Sequence, residues 1–371
     1  MPAGPKSKVW PLDPHTLAKH EILRRYLYAW FPIMSKYNTR LVFFDGFAGP
    51  GIYENGEIGS PVIAVKALVE HSRFPDFSRG REYVFLFCEA DRARFTSLKS
   101  QLVAYEATLP GHTWPTGVSV HLANRPFDAT AGELLDQLES KGSQLAPTFA
   151  FVDPFGVSGL PMSLLSRLVQ SPKCELFVNM IINTAKRFAT SGLIDGSLAE
   201  LYGTDQFQAA AGLTGRDRVL FLHDLYADQL RDAARMNYVQ SFEMVNSQGH
   251  TSYFLFYATR DITGLRAMKE AMWKADPGGG YRFSDRLAGQ DVLFSEDDLL
   301  VAPLRAALLQ TFAGQEVEVT ELERYVLTQT PYRETHLRRP VLWPWEKDGT
   351  ITVSREPGRR QFPAGTRIRF P

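Results

Sequence analysis

Five short apolar segments limit the possible folds of this chain more than any other feature of its sequence. They are Leu41–Asp45, Tyr83–Glu89, Val118–Leu122, Thr148–Asp153 and Glu175–Met180. Runs of this length, rich in β-branched and aromatic residues, are typical of strands that are buried on both faces. Helical patterns lie between them, over Ser60–His71, Arg92–Tyr105, Ala131–Glu139 and Met162–Gln170. This alternation predicts an α/β fold with a parallel, doubly wound sheet.

Two further strands are predicted beyond the parallel set, over Tyr238–Val245 and Ser252–Thr259. The six residues that separate them are too few for a parallel crossover, so the pair should be antiparallel. Five parallel strands with an antiparallel pair at one edge are typical of the class I methyltransferase (Rossmann-like) sheet.

The remaining patterns predict three regions. Residues 1–37 form an N-terminal helical segment, and residues 38–295 form the methyltransferase-like domain with a helical insertion at 181–217. Residues 296–371 contain helices followed by a β-hairpin, which is typical of a winged-helix module. In that module, Thr320 should cap one helix and Tyr332–Trp345 should form the next, with Trp343 and Trp345 packed under the hairpin.

Charge and cysteine content limit the functional classes. Lys and Arg number 41, as do Asp and Glu, so a uniformly basic nucleic-acid coat is excluded. The segment from Arg324 to Pro371 holds ten Lys or Arg and four Asp or Glu, a local excess typical of a polyanion-binding surface.

With two cysteines, neither a disulfide framework nor a cysteine metal site is expected. No signal peptide or membrane span is evident, so a cytoplasmic location is expected.

Candidate site residues follow the first strand, since ligands of open parallel sheets bind beyond the carboxyl ends of the strands. The candidates are Asp45, Gly46, Phe47, Ala48, Gly49 and Gly51. The glycines allow a sharp turn close to a ligand, but the spacing fits neither a P-loop nor G-x-G-x-x-G. A carboxylate before them suits a cationic ligand such as the ammonium of S-adenosylmethionine. The alternative is a structural tight turn.

Acidic residues also follow the second and third strands. Glu89 is placed to accept hydrogen bonds from both ribose hydroxyls of an adenosine ligand. Asp128 is placed to accept from the adenine amino group, or is a plain helix N-cap. A solvated carboxylate is the alternative for Glu89.

The fourth strand ends in Asp153, Pro154, Phe155 and Gly156. Amine-directed methyltransferases carry a D/N-P-P-aromatic tetrapeptide here, whose carboxylate or amide and backbone carbonyl hold the target amine. Asp153 and Pro154 keep these acceptors, and Phe155 could stack on a base from a different position. A buried aspartate that caps the turn is the alternative.

Taken together, these stretches resemble the three-Cys-motif partner (TcmP) family. Further matching stretches are Lys19-His20, Gly59-Ser60-Pro61 and Met268-Lys269. The resemblance covers roughly residues 15 to 280 and implies a methyltransferase-like bacterial protein that works beside a separate chain carrying three motif cysteines. The family's activity is unassigned.

The early Lys-His helix and the glycine loop are also similar to RlmJ-type ribosomal-RNA adenine-N6 methyltransferases. That similarity implies that Lys19 and His20 lie near the cofactor mouth. It also implies that Glu89 holds the ribose and Asp153 the substrate amine.

The leading hypothesis is therefore an S-adenosylmethionine-dependent methyltransferase that acts on DNA or RNA and needs no metal. Phe155, Asn179, Asn183, Lys186 and Arg187 would line the acceptor side. Arg338, Arg339, Arg359 and Arg360 would bind phosphates, or form a solvated wing. Two alternatives remain open: a non-catalytic adaptor that positions the three-Cys partner, and a small-molecule methyltransferase.

Overall fold

The computed structural model describes residues 9, 11–182, 194–246, 248–276, 282–284, 297–356, 358–359 and 361–371. The chain divides into two compact units. The first comprises Met1–Ala271 with Phe283–Ala288, and the second comprises Met272–Arg282 with Gly289–Pro371. The predicted boundary near residue 295 lies outside the described residues. Within the described ranges, none of the helices combines the length and apolar composition that crossing a bilayer requires.

The described strands of the large sheet confirm the predicted architecture. They are β1 Arg40–Asp45, β2 Glu82–Cys88, β3 Val118–Ala123, β4 Thr148–Val152, β5 Glu175–Met180, β6 Tyr238–Val245, β7 Thr251–Thr259 and β8 Arg282–Ser284. Their spatial order is β3-β2-β1-β4-β5-β7-β6-β8. Strands β1 to β5 are parallel, and β7 is antiparallel to both β5 and β6. This is the class I methyltransferase sheet, to which β8 adds an edge strand that the sequence pattern did not predict.

Helices cover both faces of this sheet. They are α1 Pro14–Ser35, α2 Ser60–Val69, α3 Phe74–Phe77, α4 Arg92–Glu106, α5 Phe127–Ser140, α6 Met162–Leu168, α7 Asp195–Tyr202, α8 Gly215–Asp232 and α9 Ile262–Ala275. Chain order reverses after β3, and right-handed crossovers therefore place α5 and α6 on the face opposite α2 and α4. Helix α1 packs against α2 and β1. The described part of residues 181–217 contains α7 and a 3₁₀ helix at Asp205–Gly212.

A buried carboxylate fixes α1 to the sheet. Glu175, at the start of β5, accepts hydrogen bonds from Tyr26 (2.6 Å), Tyr257 (2.8 Å) and Thr259 (2.8 Å). Burial raises the pKa of Glu175 although these hydroxyls favour its charged form. A Cβ on Gly264 would lie 2.4 Å from the Glu175 Oε1 atom, so the glycine makes room for the carboxylate. The N-terminal helix is therefore an integral part of the first unit.

The second unit has a winged-helix order of elements. Its described elements are α10 Asp297–Thr311, β9 Glu316–Glu318, α11 Val319–Gln329, a 3₁₀ turn Glu334–His336, a π turn Arg338–Leu342, α12 Trp343–Asp348, β10 Thr352–Ser354 and β11 Arg367–Arg369. The three strands pair antiparallel in the order β10-β11-β9.

Three local predictions for the second unit were wrong. Thr320 lies inside α11, which is preceded by Glu318 as its cap residue. The predicted helix over Tyr332–Trp345 is divided into three short pieces, because Pro340 and Pro344 supply no backbone N–H to an α-helical ladder. Trp345 is buried as expected, with its ring 6.3 Å from that of Phe370, but Trp343 is 59% exposed.

Candidate functional site

The glycine turn after β1 is fixed to the two neighbouring strands. The Gly46 amide donates to the Phe151 carbonyl on β4 (2.9 Å), and the Ala48 amide donates to the Cys88 carbonyl on β2 (2.8 Å). Because β2 and β4 flank β1, these bonds hold the turn over the carboxyl edge of the sheet, where the sequence predicted a ligand.

Two glycines of this turn adopt backbone conformations that other residues rarely take. Gly49 and Gly51 have φ values of 65° and 76°. The Gly51 carbonyl accepts from the Gly59 amide (2.9 Å), and a Cβ on Gly59 would lie 3.1 Å from the Gly51 Cα atom. The turn therefore closes directly against the start of α2.

Gly46 lets the ring of Phe127 pack against the backbone where any other residue would have its Cβ atom. A Cβ there would lie 2.5 Å from the ring of Phe127, the first residue of α5. This ring is itself held by Phe44 and Phe47, each 5.6 Å away between centroids. The cradle, which we define as the turn from Gly46 to Gly51 with the Phe127 ring, therefore requires glycine at position 46.

Asp45 shapes the turn from within. Its side chain is fully buried and accepts from the Phe47 amide (3.0 Å) and the Ser60 hydroxyl (2.7 Å). Burial raises the pKa of Asp45 to about 7, with Asp153 acting in the same direction and the two hydrogen bonds opposing it. Contact between Asp45 and a cofactor ammonium stays a prediction.

Glu89 follows β2 and is 7% exposed. Its Oε1 atom accepts from the Asp91 amide (2.7 Å), and its backbone carbonyl accepts from the Asn124 side chain (2.8 Å). Burial raises the pKa of Glu89, while hydrogen bonds from Asp91 and Gly49 favour its carboxylate form. Glu89 thus contacts the glycine turn, and its binding of an adenosine ribose stays a prediction.

Asp128 lies in the first turn of α5 and is exposed. Its Oδ1 atom accepts from the Ala129 amide (2.8 Å), while the cap residue of the helix is Pro126. Asp128 is therefore not the N-cap, and its contact with an adenine amino group stays a prediction.

Asp153, just beyond β4, is held from two sides. Its Oδ1 atom accepts from the Asn179 side chain on β5 (2.7 Å), and its Oδ2 atom forms an ion pair with Lys19 of α1. The Lys19 side chain is 7% exposed and that of Asp153 21%. Lys19 thus pairs with the proposed acceptor-binding aspartate, and its place near the cofactor mouth stays a prediction.

Other polar side chains surround this pair. His20 is 6% exposed, and its ring lies edge-on to that of Tyr53 at 5.5 Å. Burial, aided by Lys19, lowers the pKa of His20 to about 3, so the imidazole is neutral at physiological pH. Burial raises the pKa of Tyr53, and Asp153 and Asp45 add to that effect. The polar cluster consists of Lys19, His20, Asp45, Tyr53, Asp153 and Asn179.

Phe155 lies at the outer end of this edge. The preceding Pro154 is buried, whereas Phe155 is 42% exposed. The guanidinium carbon of Arg94 lies 5.5 Å from the centroid of the Phe155 ring. An exposed ring with a cation on it can stack on a nucleobase.

The other predicted residues lie outside the described residues or belong to the second unit. Asn183, Lys186, Arg187 and Arg360 lie outside the described residues. Arg338, Arg339 and Arg359 belong to the second unit. Sequence reasoning missed Ser60 and Asn124 as supports for Asp45 and Glu89, although Ser60 stands in the Gly-Ser-Pro stretch.

Burial shifts the pKa values of Asp45 and His20 in opposite directions, which predicts opposite pH dependences of stability for variants at these two positions. In the folded protein the pKa of Asp45 is about 7 instead of 3.8, so its contribution to the unfolding free energy falls as pH rises through that range. The pKa of His20 is about 3 instead of 6.5, so its contribution rises with pH. When pH is lowered from about 7 to 5, H20N should gain roughly 2 kcal/mol relative to wild type and D45N should lose a similar amount. Urea unfolding at both pH values measures this, and parallel profiles for the three proteins would refute it.

Comparisons with known proteins support the architecture. Residues 282–358 match the family model of the GMT-like wHTH domain, which agrees with the winged-helix order of the second unit. A search of curated proteins finds no match.

Solved structures with a similar arrangement include methyltransferases. Trm1 from Pyrococcus horikoshii, solved with S-adenosyl-L-methionine, is 13% identical with a TM-score of 0.37, over 74% of this chain and 62% of that one. Human methyltransferase-like protein 13, solved with SAH, is 13% identical with a TM-score of 0.35, over 76% of this chain and 99% of that one. Protein LPL1258 from Legionella pneumophila is 11% identical with a TM-score of 0.38, over 66% and 85%. Because these scores are low, the fold assignment rests on the strand order.

Proposed function

We propose that this protein is an S-adenosylmethionine-dependent methyltransferase that methylates an amine nitrogen of a nucleic acid. The observation that supports it best is the gathering of three features at one sheet edge. The glycine turn follows β1, Glu89 follows β2, and the polar cluster includes Asp153 beyond β4. Sheets of this topology bind their ligands at that edge.

The residues present fit the cofactor. The glycine turn is held at the carboxyl edge of the sheet by its bonds to Phe151 and Cys88, and Glu89 offers a carboxylate for ribose hydroxyls. When bound, S-adenosylmethionine supplies an electrophilic methyl group on a sulfonium. The protein's part is then to bind and align the acceptor, because no enzyme nucleophile is needed.

Asn179 supports an amine as the acceptor. Its side chain is 7% exposed, and its Oδ1 atom has no hydrogen-bond partner among the described residues. A buried carbonyl oxygen without a donor is costly, and an amine N–H would satisfy it. The Asp153 carboxylate beside it would stabilise the positive charge that develops on the attacked nitrogen.

The nucleic-acid target is inferred from the second unit. This unit contains the excess of arginines after residue 324, and its element order is that of a winged helix. Phosphate binding by such residues gives salt-dependent affinity.

An adaptor for a three-Cys-motif partner is the second candidate. Asn179 and Lys19 already bind the two carboxylate oxygens of Asp153. Neither oxygen is then open to an acceptor amine, which favours a protein that does not catalyse transfer. Radiolabelled methyl transfer to pooled DNA and RNA, with and without the partner, separates the two. Cofactor binding without transfer under either condition would favour the adaptor, and no cofactor binding at millimolar concentration would refute the methyltransferase proposal.

Removal of the Glu89 charge should weaken cofactor binding. Each charge-assisted hydrogen bond to ribose contributes about 1.5–3 kcal/mol, so E89Q should raise the Kd for S-adenosylmethionine by about tenfold or more. Isothermal titration measures this. E82Q is the matched control, because Glu82 begins the same strand at the opposite edge, where its side chain is 57% exposed. Equal affinities of E89Q and wild type would remove Glu89 from the site.

A further inference from the structure

The second unit contains a concave surface between its last helix and its hairpin. This cavity has a volume of about 890 Å³. We name it the wing cleft and define it by the lining residues Arg338, Arg339, Trp343, Arg355, Arg359 and Phe362. Its volume lies in the range of sites that enclose a ligand of nucleotide size.

Two of its arginines serve the fold. Arg355 forms an ion pair with Glu346, donates to the Gln361 carbonyl (2.5 Å) and lies 5.3 Å from the centroid of the Phe362 ring. These contacts tie the hairpin to α12. Arg338 donates to Glu323 on α11 (2.5 Å).

The other two arginines are available to an anion. Arg339 forms no ion pair among the described residues. Arg359 lies 3.5 Å from Glu356, but their side chains are 64% and 81% exposed, and exposed pairs of this kind contribute little. A phosphate could therefore replace Glu356 as the partner of Arg359 at small cost.

Trp343 supplies an aromatic surface to the same cleft. Its side chain is 59% exposed, although indole is normally largely buried. Stacking on a nucleobase would remove this apolar surface from water. The two arginines, Arg339 and Arg359, are suited to the phosphate of one nucleotide, and the exposed indole of Trp343 is suited to its base.

The backbone of this region favours an unpaired base over a duplex. A helix that reads duplex DNA lies in the major groove as a continuous rod. Here Pro340 and Pro344 interrupt the corresponding segment, and α12 has six residues, a length of about 9 Å. In a duplex, the flat faces of the bases are covered by their neighbours, so Trp343 could not stack on them without unstacking the helix.

We propose that the wing cleft binds an unpaired nucleotide of single-stranded nucleic acid, with the base on Trp343 and the phosphate on Arg339 and Arg359. This inference rests on the nucleic-acid part of the proposed function and specifies its substrate class.

Fluorescence anisotropy of the full-length protein without cofactor tests the proposal. The probes are a labelled oligodeoxythymidine, an oligouridine, and a DNA duplex of equal length. We expect at least one single strand to bind more tightly than the duplex. W343A should weaken that binding by about five- to hundredfold, whereas W343F should retain most of it. Because Trp343 is exposed, the Tm of both variants should equal that of wild type.

Arginine variants test the phosphate contact. R339A should reduce the steepness of the plot of log affinity against log salt concentration by about 0.7, the value for one single-strand phosphate contact. R369A is the matched control, since Arg369 is exposed on β11 and does not line the cleft, and it should leave this slope unchanged. Tighter binding of the duplex, or wild-type affinity of W343A, would overturn the proposal and favour protein docking in the cleft. Because no cofactor is present, failure here is separate from failure of methyl transfer.

Discussion

G46A should lose both stability and cofactor affinity. The added Cβ would lie 2.5 Å from the Phe127 ring, which Phe44 and Phe47 prevent from retreating. Overpacking of this kind costs about 1–3 kcal/mol. Because the turn or the start of α5 must shift, the Kd for S-adenosylmethionine should rise by at least about tenfold. Urea unfolding and isothermal titration measure the two effects.

Gly132 offers a matched control within α5. A Cβ there meets no atom within 4 Å, so G132A should leave cofactor affinity unchanged and stabilise the helix by up to about 1 kcal/mol. If G46A matched wild type in stability and affinity, the cradle would not depend on glycine at this position.

D153A should destabilise the protein as well as impair any transfer. It leaves the Lys19 ammonium buried without its carboxylate, which costs about 3–5 kcal/mol for a buried pair. The double variant K19M/D153L should recover most of this loss, since an apolar pair carries no uncompensated charge. Urea unfolding of the three proteins gives the coupling energy.

The exposed Arg40–Glu82 pair is the control for this experiment. Its side chains are 59% and 57% exposed, so E82A should cost about 0–1 kcal/mol. A D153A variant that lost no more than E82A would show that the Lys19 ion pair contributes little. D153N keeps a hydrogen-bond acceptor and nearly the same side-chain volume, so it is the better variant for measuring turnover.

The sequence predicted the sheet because most residues of its parallel strands are apolar, although β3 also contains Ser119 and His121 and is only partly buried. β5 matches its predicted bounds without a shift, β1, β3 and β4 differ by one residue at one end, and β2 is displaced by one residue at both ends. The three-residue strand β8 is too short to show a period. In the second unit, the apolar spacing over Tyr332–Trp345 suggested one helix, although Pro340 and Pro344 already argued against it.

Those parts of the candidate site that lie next to strand ends could be predicted from the sequence. The glycine turn and Glu89 follow strand ends, so their position comes from the topology. The pairing of Lys19 with Asp153 joins residues 134 positions apart and depends on how α1 packs, which no spacing reveals.

Fixing α1 through Glu175 has a consequence for the order of folding. Tyr26 emerges early during synthesis, but its partners Glu175 and Tyr257 lie 149 and 231 residues further along the chain. Contacts between residues this far apart in sequence raise the contact order, which slows folding. The hydrogen bonds that fix α1 to β5 and β7 can therefore form only after Tyr257 has been synthesised.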